Sequence, residues 1–318
     1  MNNELFHPFS PQDQIEYNII DALLTHLPAL WCKHEDASLV DGKGTSVRDA
    51  WDALCGLGIG GLLVPVEHGG QGASLSRSLS AAWALSRLPA PVPFLSSAIA
   101  APLFAIGIDE RSLLSEIATG DTMVAIAFGG EARGAGEWGT TLHGRVFDVL
   151  HGADADRWIV AARTSDEKST LLMVDRPQSI VDQDSGDPTR PTSGAYFVGE
   201  PARRLADGVE PLVVETIRRA HLVRCVEVLA AASVAAADDD AAARSISAAI
   251  TAVRSAAAAT DLHGHCDRAQ LRLACSRTAA VSRFVTAQRD SSLMPASLRS
   301  RLCAHRASDE SRWMPVAD

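Results

Sequence analysis

The sequence predicts a mostly α-helical fold interrupted by one all-β insert. Three observations carry this prediction. Apolar residues recur at helical spacing from 11 to about 120. Between 121 and 207 the chain breaks into short apolar runs separated by turn clusters. From Val209 the helical spacing returns. Composition agrees: hydrophobic residues make up 47% of the 318, alanine foremost, while aromatic residues make up only 5%. Alanine is the best helix former.

Taken in order, the first expected helix covers 12–30, with Ile15, Ile19, Ile20, Leu23, Leu24 and Leu27 on one face. Ser46 is placed to cap a second helix through Trp51, and Ser74 a third that runs through Ala81, Trp83 and Leu85. Pro89, Pro91 and Pro93 forbid its continuation. Helices at 94–106 and 109–119 complete an amino-terminal helical domain, 1–120. Strands are expected at 123–128, 140–150, 157–163, 170–174, 195–198 and 203–205, making a middle domain, 121–207. The stretch 182–192 is polar and punctuated by proline, so it reads as loop. Helices at 211–237, 241–260 and 266–289 form a carboxy-terminal bundle, 208–318, interrupted by Asp238-Asp239-Asp240. The segment 291–318, with Trp313 and Met314, is poorly patterned.

The formal net charge of −10 argues against nucleic-acid or anionic-membrane binding. No apolar run approaches membrane-spanning length, and the start Met1-Asn2-Asn3-Glu4 lacks the features of a secretory leader. Cys32, Cys55, Cys225, Cys266, Cys275 and Cys303 are scattered, with no C-x-x-C pair. In a chain this long they read as reduced core thiols, hence a cytoplasmic protein.

The most informative stretch is LCGLGIGGLLVPVEHGGQG, residues 54–72. Glycine doublets around a proline mark a backbone folded tightly against another element. It resembles the amino-terminal motif of the acyl-CoA dehydrogenase family, an apolar run followed by P-x-E-x-G-G-x-G. Further on, Gly144-Arg145-Val146-Phe147, then Ala153 to Asp156, then Trp158 to Arg163, resemble the family's next β segment. Asp187-Pro188-Thr189-Arg190 is similar to its D-x-T-R turn. The likeness covers roughly 10–260. It implies a helical domain, a central β-barrel and a helical bundle that is shortened here.

The resemblance also implies FAD and an acyl thioester, with a carboxylate removing the proton alpha to the carbonyl while the flavin takes a hydride. Against that pattern the flavin site looks incomplete. The family's T-E-P-x-A-G-S-D becomes Phe128-Gly129-Gly130-Glu131-Ala132-Arg133-Gly134-Ala135-Gly136, without the threonine or the Ser-Asp pair. Where a hydroxyl should meet the flavin ring stand Leu150 and His151. Leucine donates no hydrogen bond, so His151 is either the donor or a turn histidine in solvent. Arg244, near the place of the diphosphate arginine, is either that contact or a solvated helix arginine. His263-Gly264 resembles part of the late Q-L-H-G-G-x-G motif. If the match is real, the bundle lacks an internal helix pair; if it is chance, the last helices are missing.

The base is harder to place. No glutamate occurs from 262 to 308, and Arg219 stands where the first bundle helix would carry one. Glu215, with Arg218 and Arg219 at i+3 and i+4, is the candidate, and Glu227, three after Arg224, is the other glutamate of that helix; the other reading makes each a solvated partner of its arginines. His263, His265, Cys266 and Asp267 lack a second ligand group, so no metal is expected. The resemblance thus implies a partner subunit or divergent member in flavin-dependent alpha,beta-dehydrogenation of an acyl thioester. It would be a homo- or hetero-oligomer with an acyl-CoA dehydrogenase-family subunit. The alternatives are a stand-alone dehydrogenase, a repurposed fold acting without redox chemistry on a CoA- or carrier-bound substrate, and a non-catalytic scaffold.

Overall fold

The computed structural model describes residues 47–86, 91–134, 136–183, 185, 190–236 and 239–288. The expected helix at 12–30, Ser46, Cys32, Cys303 and the segment 291–318 lie outside the described residues. The described chain divides into two compact units, one of 47–73 with 91–217 and one of 74–86 with 218–288.

The first unit starts with helix α1, Val47–Gly56, whose Ala50, Trp51 and Leu54 are buried. A 3-10 turn, Val66–His68, lies inside the glycine-rich stretch. The helix expected at 94–106 begins instead as a π-helical segment, Phe94–Ala100, and becomes α-helical only in α3, Ala101–Gly107. Pro102 has no N–H to give the carbonyl four residues back, and the Ala101 N–H reaches the Ser96 carbonyl, five back. Helix α4, Arg111–Thr119, ends at Gly120 in the left-handed conformation.

Six strands follow: β1, Val124–Gly134; β2, Thr140–Leu150; β3, Arg157–Thr164; β4, Ser169–Asp175; β5, Ile180–Gln183; and β6, Thr192–Asp207. They pair in the order β2-β1-β3-β4-β6-β5, with β2 also pairing with β6; β1 and β3 run parallel and the other pairs antiparallel. The expected barrel is therefore corrected to a mixed six-stranded sheet. The β2–β6 pairing folds the sheet back on itself, but β5 pairs only with β6 and leaves an edge, which a barrel does not have.

Two further differences concern β6. It runs unbroken where two short strands were expected, because Pro201 pairs with Thr141 beside a register shift at Leu142/His143. Its first residues, Thr192 to Ala195, also pair with β5, whose Asp182 and Gln183 lie in the stretch read as loop.

Both faces of the sheet are covered, and β3 shows how. Trp158, Val160 and Ala162 enter one core with Leu142, Val146 and Phe197. The alternating Ile159 enters the other with Val64, Phe104, Leu113, Leu114 and Ile117. The Ser97 hydroxyl, buried, donates to the Val124 carbonyl and accepts the Val124 N–H, both at 3.0 Å. That exchange fastens the π-helical segment to the start of β1.

The second unit contains helix α2, Leu75–Ser86, helix α6, Asp240–His263, helix α7, Arg268–Gln288, and most of helix α5, Glu210–Ala235. Residues 210–217 of α5 belong to the first unit. Ser74 caps α2 as expected, its hydroxyl accepting the Arg77 N–H at 3.2 Å. A second cap comes from far along the chain. The Asp261 carboxylate, at the end of α6, accepts the Leu75 and Ser76 N–H groups, both at 2.9 Å. Within the acidic run, Asp239 is the cap of α6, accepting from Ala241 N and Ala242 N. Among the described residues no helix is long and apolar enough to cross a membrane.

Candidate functional site

The glycine-rich stretch 54–72 is a turn woven onto itself. Gln71 N donates to Gly61 O at 2.9 Å, Gly72 N to Val64 O at 2.8 Å and Ala73 N to Leu62 O at 2.9 Å. The Gln71 side-chain amide closes the other side by donating to Gly58 O at 2.9 Å. Gly69 is left-handed at φ 85°. Gly70 has no room at all: a Cβ there would stand 2.1 Å from Val64 O. At the other end, the Cys55 side chain fills the space beside Gly60 and Gly120. Burial, chiefly, pushes its thiol up to about 12.

The strand β1 carries the stretch that departs most from the family pattern. Gly129 and Gly130 have positive φ, 125° and 84°, and the β1–β3 register shifts between Phe128 and Glu131. This is a bulge. A Cβ on Gly130 would meet Leu142 Cδ1 at 2.9 Å and His143 O at 3.1 Å, so β2 already occupies that space. The stretch 128–134 offers no side-chain hydroxyl. Glu131 is held by Arg133 through two hydrogen bonds at 3.0 and 3.1 Å, which lowers its pKa.

His151 is buried rather than solvated, which corrects one of its two readings. It opens the β2–β3 turn at φ 52°. Its N–H donates to Pro191 O at 2.8 Å, its carbonyl accepts from Asp154 N and Ala155 N, and its Nδ1 lies 3.8 Å from Asp154 Oδ2. Glu215 is half-buried on the part of α5 that belongs to the same unit.

The remaining candidates lie in the other unit. Arg244 is exposed in the first half of α6. His263 and Gly264 stand at its end, also exposed. Arg244 and His263 are nineteen positions apart on this one helix, about 28 Å at the helical rise. The two therefore do not meet. Gly264 is the left-handed cap of α6, its N–H donating to Thr260 O at 2.8 Å. Its carbonyl accepts from Arg219 Nη2 at 2.6 Å. The sequence puts Arg219 where the resemblance expects a glutamate; in the structure it is tied to this cap. It also overlooked the Asp261 cap, for which a carboxylate three residues before the helix-ending glycine was the available signal. Among the described residues no group of three or more His, Cys, Asp or Glu is placed to hold a metal.

No protein-family profile matches the chain, and no curated protein matches it. Solved structures do. Butyryl-CoA dehydrogenase from Megasphaera elsdenii is 16% identical, covers 96% of this chain and 95% of its own, and superposes with a TM-score of 0.73. The ChsE4-ChsE5 complex from Mycobacterium tuberculosis is 15% identical, over 98% of this chain and 94% of its own, at 0.68. A glutaryl-CoA dehydrogenase from Mycobacterium smegmatis in complex with FADH2 is 15% identical, over 94% and 90%, at 0.70. At such identities the likeness establishes the fold: the chain has the fold of the acyl-CoA dehydrogenases.

Proposed function

We propose that this chain is a divergent member of the acyl-CoA dehydrogenase family and serves as a partner subunit, joining a second family subunit in a hetero-oligomer that dehydrogenates an acyl thioester at its alpha and beta carbons. One observation carries the reading. The fold spans nearly the whole chain, while the place of the first flavin motif is a bulge whose glycines are accounted for by β2. A stand-alone enzyme needs that place to bind. A subunit that completes an oligomer needs only the fold around it. The likeness to the ChsE4-ChsE5 complex, itself an assembly of two different chains, supports the same reading.

FAD is implied by the family, and these residues fit only part of such a site. Arg244 offers an exposed guanidinium suited to a phosphate. His151 offers a ring N–H in a buried turn, and His263-Gly264 an exposed helix end. The stretch 128–134 contributes no hydroxyl, and Arg244 and His263 stand a helix length apart. These described residues make only part of a flavin site, and on the proposed reading this chain is assigned no redox step. Its contribution is to position: Arg244 toward a diphosphate shared with the partner, and the 1–120, 121–207 and 208–318 domains as a frame for the partner's acyl pocket. Glu215 is the residue of this chain that a stand-alone reading would make the base, and the partner reading leaves it without a catalytic role.

The test is co-expression with a complete acyl-CoA dehydrogenase encoded beside this chain. The expected result is a colourless protein when it is purified alone. With the second subunit it gives a heteromer that carries flavin and oxidises an acyl-CoA. Stoichiometric flavin and thioester oxidation by this chain alone would overturn the proposal.

A further inference from the structure

The second unit holds a pair of thiols that the functional reading does not use. Cys225 on α5 and Cys275 on α7 face each other with their sulfurs 3.8 Å apart. Cys225 is buried, and Cys275 is half-buried, so only the second is open to a small solute. His221, one turn before Cys225, stands close enough to Cys275 to lower its thiol in part, against the rise that Cys225 and burial impose. Thr278, fully buried and one turn beyond Cys275, lies against Cys225. Two sulfurs on neighbouring helices, with no side chain between them and a histidine beside the accessible one, are unlike thiols packed merely as small hydrophobes.

We infer that Cys225 and Cys275 form a peroxide-responsive dithiol that closes to a disulfide and clamps α5 to α7. The Cys275 sulfur attacks one oxygen of hydrogen peroxide, the O–O bond breaks, and the thiol proton leaves with the departing hydroxide as water. Cys275 is then a sulfenic acid. The Cys225 sulfur attacks the Cys275 sulfur, the S–O bond breaks, and the hydroxyl leaves as a second water with the Cys225 proton. Two thiols are oxidised to one disulfide and one peroxide is reduced to two waters.

The geometry sets the direction and the pace. The two sulfurs share one hydrogen bond in which either can donate, and that contact lowers the Cys225 thiol from its usual range. The same hydrogen bond, then burial, pushes Cys275 up, so the first step is slow at neutral pH. Closure requires the sulfurs to shorten from 3.8 Å to about 2.05 Å.

The experiment uses the full chain, treated with hydrogen peroxide, quenched, denatured and alkylated without reductant. Peptide mapping is expected to show the Cys225 and Cys275 peptides joined, lighter by two hydrogens, and separated again by dithiothreitol. Thiols titrated in denaturant fall from the six of the sequence to four. Oxidised protein melts higher than reduced, and the rise is absent in Cys275→Ser. In Cys225→Ala, which keeps the accessible thiol, the oxidation stops at a sulfenic acid that dimedone captures on Cys275. Wild-type protein in which both cysteines remain alkylatable, or in which Cys275 joins another cysteine or advances to a sulfinic acid, overturns the inference. The wild-type map decides even if a variant does not fold.

Discussion

The glycine pair at 69–70 allows a sharp test of why the turn has its sequence. Each glycine is changed separately to alanine. At Gly69 the φ of 85° is unfavourable for an L side chain, yet the added Cβ finds only Ala118 Cβ at 3.9 Å, an ordinary contact. The cost is backbone conformation alone, about 1 kcal/mol. At Gly70 the added Cβ would lie 2.1 Å from Val64 O, 2.4 Å from Val64 Cβ and 2.6 Å from Val64 C. Those atoms are backbone and the base of a β-branched side chain in a buried residue, so neither yields by rotation. The turn cannot slide away without breaking Gly72 N to Val64 O and Ala73 N to Leu62 O. Gly70→Ala should cost about 3 kcal/mol or more, by overpacking. Urea unfolding followed by far-UV circular dichroism reads the difference. With a slope of about 2 kcal/mol per molar, the Gly70 variant should unfold about 1 M earlier than the Gly69 variant. Equal midpoints, or the reverse order, would refute the claim that close approach rather than backbone freedom selects glycine at 70.

Asp261→Ala removes the acceptor of two N–H groups at the start of α2 and should lower stability by about 1–2 kcal/mol, with Asp261→Asn recovering most of it in thermal melts. The Cys55 thiol, pushed up from 9.0 to about 12 chiefly by burial, should be alkylated at pH 8 on the order of a thousandfold more slowly in folded than in unfolded protein, as followed by mass spectrometry of its peptide. Glu210 accepts the Ser169 N–H at 2.8 Å, which lowers its pKa from the ordinary 4.5. Its small stabilisation is thus complete above 4.5 and lost as the pH falls below it, so Glu210→Gln should flatten the acid side of a Tm-against-pH curve and leave the neutral side unchanged. Glu215→Gln should leave kcat of the hetero-oligomer within about twofold of wild type, whereas loss of a catalytic base costs on the order of a hundredfold or more; a loss of that size would return Glu215 to the position of base.

Helix identity was legible wherever one face alone is buried, as in α1, and caps were legible where a serine precedes the run, as at Ser74. Strand β5 was not: Ile180-Val181-Asp182-Gln183 has no alternating apolar face, and its place comes from backbone pairing with Ser193, Gly194 and Ala195. The extension of β1 through Gly129 and Gly130 was hidden because two glycines read as a stop, whereas a bulge uses them to continue. Within the site, the residue types were legible and their distances were not. Arg244 and His263 each echo a motif, but only an unbroken α6 shows that they stand about 28 Å apart. The thiol pair was equally hidden, since spacing of fifty residues says nothing about which helices lie side by side.

The glycines bear on what a sequence motif certifies. Gly70 is required by Val64, Gly130 by Leu142 and His143, and Gly264 by the end of α6, each within its own compact unit and each without reference to a bound group. A residue so constrained persists for as long as the fold does, whether or not chemistry persists with it. Side chains that bind a cofactor or move a proton have no such protection, because packing tolerates their replacement. The pattern in this chain follows that division. The packed glycines of 54–72 match the resembled motif, while 128–134 holds no hydroxyl and 219 holds arginine, where the resemblance would place a hydroxyl and a glutamate. A merely divergent catalyst would be expected to lose both kinds of position together. Losing one kind alone is what the proposed partner role predicts, with a second subunit supplying the chemistry.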